Sequence, residues 1–369
     1  MDVRDFDFDL PAGLIAQEPA ADRSSARLLR LDPATGAIVH GRFSQLPEHL
    51  VPGDLLVVNN TRVFPARLLG RRLPTGGAVE CLLLRRCAPV RDDRAPVNEQ
   101  HWEALVHPGQ KLKPGAQVIF EGPPSPVSGF GAAGSPALCA EILERRFHGR
   151  RLIRLWAEGG GNVDDLVDAV GHVPLPPYIR RADRDADRER YQTIFAAHRG
   201  SIAAPTAGLH FTDPVTQALR ARGVQVAAIT LHVGYGTFQP VRVERVEDHR
   251  VHAERYEVDA GAAASINRAL DEGRRVIAVG TTTTRTLEAV AAAHGGRLAA
   301  MAGETDLFIY PGFRFQVACG LVTNFHLPQS SLLMLVAAFA GREHVLAAYR
   351  EAVSHGYRFY SYGDAMLVL

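Results

Sequence analysis

The feature that most constrains this chain is a change of pattern part-way along it. From about Val63 to Leu155, short apolar runs ("VECLLLRR", "HWEALV", "AQVIFEG", "ALCAEILE", "RRLIRLW") are split by "PTGG", "HPGQKLKPG" and "GPPSPVSGFGAAGSP". Evenly spaced short strands with such turn punctuation predict an antiparallel sheet or small barrel. From about Asn162 onward, strands such as "VQVAAITLHV", "RVIAVG" and "GLVTNFHL" alternate with helices such as "AAASINRALDEG" and "EHVLAAYREAVSHG". That alternation predicts an α/β fold with an open, mostly parallel sheet. The strand-like runs "LLRLD", "GAIVH" and "DLLVVNN" precede both regions.

Helix ends are also legible. "VDDLVDAVG" predicts a short amphipathic helix closed by Gly171. In "DPVTQALRARG", Asp213 is the expected cap, Pro214 suits the first turn and Gly223 stops the helix. "TTTTRTLEAVAAAHGG" reads as a loop running into a helix, with Thr284 or a neighbour as its cap. The segments 91–100 and 123–136 read as long surface loops.

A length of 369 residues suggests two domains, and 46% hydrophobic with 22% charged residues is ordinary for a chain that builds its own core. Cys81, Cys87, Cys139 and Cys319 show no CxxC spacing, which fits a reducing compartment. The start "MDVRDFDFDL" lacks an apolar signal core, and Leu332 to Ala340 is too short to span a bilayer. A cytoplasmic protein without membrane contact is expected. A net charge of +1 gives no global attraction for a polyanion, so nucleic-acid contact must come from local clusters. "RLLGRRL" and "ERRFHGRR" are such clusters, whereas "PPYIRRADRDADRER" alternates in sign and reads as a solvated face.

In an open α/β sheet, ligands sit outside the carboxyl ends of the strands. Four loops there carry polar, small or histidine residues. They are "AAPTAGLHFT" with Thr206, Gly208 and His210; "LHVGYGTFQP" with His232, Tyr235, Thr237 and Gln239; "VGTTTTRTLE" with Thr281, Thr282, Thr283, Thr284 and Arg285; and "VTNFHLPQSS" with Asn324, Phe325 and His326. Each alone has a packing or capping explanation, but their convergence points to a site. Exposed amides at the threonine-rich helix start could also receive an anion. There is no GxxxxGK[ST], G-x-G-x-x-G or GxSxG, and "DHRVHAE" lacks the HExxH zinc spacing. A nucleotide-binding phosphate loop, a dinucleotide site, a serine-hydrolase elbow and a metal centre are therefore not expected.

The segments "FDLPAGLIAQEP", "RSSARLL", "GDLLVVNNTRVFPARL", "GHVPLPPYIRR", "AAPTAGLHFT", "LHVGYGTFQPV", "VIAVGTTTTRTLEA", "TDLFIYPGF", "LVTNFHLPQSSLLMLVAAFAG" and "YRFYSYGDAM" span nearly the whole chain. In order and content the sequence resembles the S-adenosylmethionine:tRNA ribosyltransferase-isomerase family of queuosine biosynthesis. The resemblance implies an α/β domain (1–62 and 156–369) interrupted by a small β-barrel (63–155). It implies transfer and isomerisation of the ribosyl unit of S-adenosylmethionine onto 7-aminomethyl-7-deazaguanine at the wobble position of tRNA. The product would be epoxyqueuosine in tRNA, with adenine and methionine released. S-adenosylmethionine is then a consumed co-substrate, with no metal or other cofactor, and a monomer is expected.

Such chemistry needs proton transfer, donor binding and a partner for the sulfonium. His210, His232 and His326 form the expected proton-transfer set, with His210 first as the base. Thr206, Gly208, Thr237 and Gln239 would line the donor site. Thr281 to Thr284 and Arg285 would hold the methionine carboxylate or a tRNA phosphate. Glu254 or Asp306 would face the sulfonium, with Tyr235, Phe238 or Phe325 as an aromatic wall. Asn59, Asn60, Thr61 and Arg62 would clamp a sugar or base. Tyr235, and Thr283-Thr284 where Ser-Val is a familiar variant, are minor departures from the family pattern. An ordinary methyltransferase lacks the glycine-rich loop and acidic ribose ligand it would need. A purely RNA-binding module fits poorly with the low charge and the histidine-bearing loops.

Overall fold

The computed structural model describes residues 1–88, 99–120, 137–238 and 240–369. Positions 91–98 and 123–136 of the expected long loops, and Gln239, lie outside the described residues. The chain begins with β1 (Arg27–Leu31), β2 (Ile38–Arg42), β3 (Leu55–Asn59) and β4 (Thr61–Val63). Then come β5 (Arg67–Arg72), β6 (Gly77–Cys87), β7 (Glu99–His107), β8 (Gln117–Phe120), β9 (Ala137–Arg145) and β10 (Arg150–Glu158). Beyond them are α1 (Val163–Val170), α2 (Asp187–Arg190), β11 (His198–Ser201), α3 (Asp213–Ala221), β12 (Gln225–Leu231), β13 (Glu254–Val258) and α4 (Ala260–Asp271). The last elements are β14 (Val276–Val279), α5 (Thr281–Ala293), β15 (Met301–Thr305), β16 (Gly320–Asn324), α6 (Ser331–Ala340), α7 (Arg342–Ser354) and β17 (Ala365–Val368).

These elements form two compact units. One comprises Met1–Arg62, Pro176–Arg181 and Glu189–Leu369; the other comprises Val63–Leu175 and Ala182–Arg188. The second unit is a closed antiparallel barrel in the order β10-β7-β6-β5-β8-β9. It runs past residue 155, because α1 buries Val163, Leu166, Val167 and Val170 and packs on β5, β9 and β10. The helix read as the start of the α/β region therefore belongs to the barrel. Asn162 caps it, accepting from the Asp164 amide at 2.7 Å.

The first unit is built on a nine-stranded mixed sheet, ordered β15-β13-β12-β3-β14-β16-β17-β1-β2. Its middle, β12-β3-β14-β16, is parallel. Both faces are covered, which explains the unbroken apolar run in β3. Leu55 and Val57 point into one core with α4 to α7, while Leu56 and Val58 point into the other with Phe43, Leu46, Val215 and Leu219. Each buried leucine or valine contributes about 1.5–3 kcal/mol, so a one-residue register slip would swap both cores.

Two helix starts differ from expectation. Thr212, not Asp213, is the N-cap of α3; Asp213 lies in the first turn, where its charge favours the positive helix end. Helix α5 begins at Thr281, and its N-cap is Gly280 at φ 94°, a conformation that glycine adopts without a Cβ penalty. The threonines are thus helical rather than loop or cap residues. Thr283, Thr284 and Thr286 donate their hydroxyls back to Val279, Gly280 and Thr282 carbonyls at 2.8, 3.2 and 3.1 Å.

Candidate active site

The parallel strands β3, β12, β14 and β16 all end on one edge of the sheet, and the polar loops gather there. Asn59, the last residue of β3, is buried. Its Oδ1 accepts from the Thr61 and Leu231 amides at 3.0 and 3.1 Å, and its Nδ2 donates to the Leu231 carbonyl at 2.9 Å. Asn60 Oδ1 accepts from Thr230 Oγ1 at 2.7 Å. These two asparagines fasten strand ends, and Arg62 is exposed. Thr61 Oγ1 pairs with His232 Nδ1 at 2.8 Å.

Beside this edge lies a solvent-open cavity of about 550 Å³. Thr206 and Ala207 line it from the 3-10 turn Thr206–His210, Gly280 to Thr282 from the start of α5, and Asn324 and His326 from the end of β16. The α5 start is uncapped by any side chain, so its first amides face the cavity with the positive end of the helix. Asn324 is 1% exposed. Its Nδ2 donates to the Tyr360 carbonyl at 2.9 Å, and its Oδ1 has no hydrogen-bond partner.

The three histidines occupy different surroundings. His326 lines this cavity; its Nε2 meets Thr323 Oγ1 at 2.9 Å, and burial pulls its pKa down to about 3. His210 lines a smaller neighbouring cavity of about 310 Å³ with Arg23, Arg190 and Ser361. It is 4% exposed and packs on Phe43 at 5.1 Å between ring centroids. Burial lowers its pKa to about 4, against the opposing pull of Asp364 and of the Asn324 side chain beside it. Its Nε2 has no hydrogen-bond partner; Asn324 lies close without reaching bonding geometry. Ser361 lines both cavities. His232 lines neither; burial lowers its pKa, and its ring fills the space a Cβ at Gly200 would need, 2.7 Å away.

Other expected residues are placed elsewhere. Glu254 and Arg285 bind each other at 2.6 Å with 4% and 6% of their side chains exposed. Arg285 also donates to the Leu307 and Thr305 carbonyls, and Glu254 Oε1 accepts from the Gly234 amide. Their charges are spent on this pair, which ties the glycine loop to α5, so Glu254 does not face the cavity. Asp306 is exposed and also outside it. Phe325 is wholly buried against Tyr349, Tyr357 and Phe359, because strand alternation turns it away from the side Asn324 faces. Thr283 and Thr284 are wholly buried, Gly208 packs against Thr193, and Tyr235 sits in a 3-10 turn off the cavity wall. The backbone of Thr237 and Phe238 continues that turn.

The aromatic wall comes instead from Tyr178 and Tyr360, whose centroids lie 3.7 Å apart. Tyr178 shares a short hydrogen bond with Ser361. Neither tyrosine was singled out from the sequence, although both stand in quoted motifs, "PPYIRR" and "YRFYSYGDAM". His249, His252 and Arg285 line a further cavity of about 520 Å³. Among the described residues, His40, Glu351 and His355 bring ligand atoms within 4.8 Å of one another, but none of them lines these cavities. All four cysteines are free, and burial raises the Cys81 thiol to about 12, which leaves it unreactive. Among the described residues no single helix is long and apolar enough to cross a membrane.

The family described as "Queuosine biosynthesis protein" matches residues 3–368. The chain belongs to that family. Its relatives include the S-adenosylmethionine:tRNA ribosyltransferase-isomerases of Heliobacterium modesticaldum (50% identical) and Desulfitobacterium hafniense (49% identical), each matched over 100% of both chains. That of Clostridioides difficile is 47% identical over 368 residues. A crystal structure of the Thermotoga maritima S-adenosylmethionine tRNA ribosyltransferase is similar at TM-score 0.53 and 36% identity, over 99% of this chain and 100% of that one. As a member of the queuosine biosynthesis family, the protein is an enzyme of the transferase/isomerase class. The α/β unit with an antiparallel barrel is the fold the sequence predicts.

Proposed function

We propose that the protein transfers and isomerises the ribosyl unit of S-adenosylmethionine onto 7-aminomethyl-7-deazaguanine at the wobble position of a tRNA. Epoxyqueuosine in tRNA forms, and adenine and methionine leave. The observation that carries this reading is a cavity at the carboxyl edge of the sheet with neutral walls: among the described residues, no Asp, Glu, Lys or Arg lines it. Burial keeps His326 unprotonated and raises Tyr178 and Tyr360 above the ordinary tyrosine range, so none of these carries charge at neutral pH.

A neutral, partly desolvated pocket disfavours a cation relative to its neutral conjugate base, as it does for a buried lysine. The same principle acidifies the C5′–H bond beside the sulfonium. That bond breaks, its proton goes to a base, and its electron pair stays on carbon as a ylide beside the positive sulfur. His210 is the base in this reading: burial keeps it neutral, and it lines the neighbouring cavity, which shares Ser361 with this one. The α5 start receives the methionyl carboxylate. Adenine leaves with the electrons of its bond to C1′ and gains a proton, and the aminomethyl nitrogen loses one as it bonds to C1′. The ylide carbon bonds to C1′ as the ring oxygen parts from it with its electron pair. That oxygen then bonds to C5′, closing the epoxide, as the carbon–sulfur bond breaks and methionine leaves with its electrons. The enzyme works with tRNA in the cytoplasm, without a metal or further cofactor.

The test is deuterium uptake at C5′ of S-adenosylmethionine in heavy water, in the presence of acceptor tRNA. Exchange with the unaltered enzyme and its loss in a folded His210→Ala variant are expected. Undiminished exchange in that variant would remove His210 from the step.

A further inference from the structure

Among the described residues, the walls of the larger cavity hold no carboxylate to balance a cation. What they offer a cation is aromatic surface, from Tyr178 and Tyr360. Tyr360 stands at φ 73°, a left-handed conformation that residues other than glycine seldom adopt. Strain of this kind persists where surrounding contacts over-determine it, and it concentrates at functional positions. Here the contacts are explicit. The Tyr360 amide donates to the Phe325 carbonyl at 3.0 Å, and Asn324 Nδ2 donates to the Tyr360 carbonyl at 2.9 Å. A buried residue of the cavity wall, Asn324, thus holds the strained tyrosine in place. Tyr178 reaches the same wall from a distant segment and is fixed by Ser361, 183 residues away in sequence.

We propose that Tyr178 and Tyr360 form the sulfonium-recognition element of the donor site, binding the cation through their aromatic faces, with Asn324 as a positioning residue that sets the Tyr360 ring. This rests on the donor reading above and deepens it. Aromatic faces attract compact organic cations whose charge cannot be hydrogen-bonded, and a trivalent sulfonium is one. They do so without adding negative charge, so the C5′ position stays acidic. A carboxylate would bind the cation more tightly and also oppose its conversion to the neutral ylide.

The experiment is calorimetric titration with S-adenosylmethionine and with S-adenosylhomocysteine, its neutral thioether counterpart, in the presence of tRNA with guanine at the wobble position, which has no aminomethyl group to react. The unaltered protein should prefer the sulfonium by on the order of ten-fold. Tyr360→Leu and Tyr178→Leu should each erase most of that preference, while affinity for the thioether stays within about two-fold. Tyr360→Phe should keep the preference. Should the leucine substitution destabilise the left-handed turn at 360, Tyr178→Leu still decides, its folding being checked by thermal melting. Equal weakening of both ligands would mean the rings only pack, and an unchanged preference would mean they do not meet the sulfur; either overturns the assignment. Failure of the unaltered protein to bind either ligand would instead refute the donor reading, and the assignment with it.

Discussion

Glu254 and Arg285 meet at 2.6 Å inside the protein, with 4% and 6% of their side chains exposed. Each of them looks like a ligand-binding charge in the sequence, and together they cancel. Breaking one half of such a pair costs about 3–5 kcal/mol, mostly because the other charge stays buried without its partner. Glu254→Gln should lower the urea midpoint accordingly, and Arg285→Met should do the same. The double variant should recover part of the loss. Additive losses in the double variant would show that the two charges are not coupled.

His210 predicts a pH dependence of stability. Its native pKa is depressed from 6.5 to about 4, chiefly by burial. Above the unfolded value its contribution is complete. As pH falls from there towards about 4, the unfolded chain takes up a proton that the native state refuses, and stability is lost. The loss amounts to about 3 kcal/mol. His326, depressed to about 3, acts with the same sign. Melting temperatures of the parent and of His210→Gln should therefore converge as pH falls through this window. Parallel curves would mean that His210 is not a buried neutral imidazole.

Asn324 serves two groups at once: Nδ2 holds the Tyr360 carbonyl, and the same side chain stands beside the buried His210 ring. Asn324→Ala removes both functions. The kcat/KM for S-adenosylmethionine should fall by about 10- to 100-fold, in line with the loss of one or two buried hydrogen bonds. The loss should fall on the donor kinetics, and the KM for tRNA should hardly move. A larger effect on tRNA KM would place Asn324 against the acceptor instead.

Much of this molecule is legible in its sequence because the information is local. The run "DLLVVNN" reads as a strand and β3 forms there, and the strand–helix alternation and the evenly spaced short strands become the mixed sheet and the barrel. Gly280 shows the limit. Four threonines resemble a capping loop, but a glycine at φ 94° lets the helix begin at Thr281, which sends Thr283 and Thr284 into the core. The charge pair was hidden for a different reason. Nothing in "VHAERYEV" or "TTTTRTLE" states that Glu254 and Arg285 meet, since their pairing depends on how β13 lies against α5. Tyr178 and Tyr360 were missed likewise. Their shared place arises only when "PPYIRR" and "YRFYSYGDAM" reach one cavity wall, and the left-handed turn at Tyr360 has no glycine to announce it.

Ribosyl donation and methyl donation by S-adenosylmethionine leave different products. The direct measurement is chromatography of a reaction containing the enzyme, S-adenosylmethionine and tRNA with 7-aminomethyl-7-deazaguanine at the wobble position. The account predicts adenine and methionine in equal amounts, matched by a ribosyl-derived addition to the tRNA. S-adenosylhomocysteine together with methylated tRNA would contradict it.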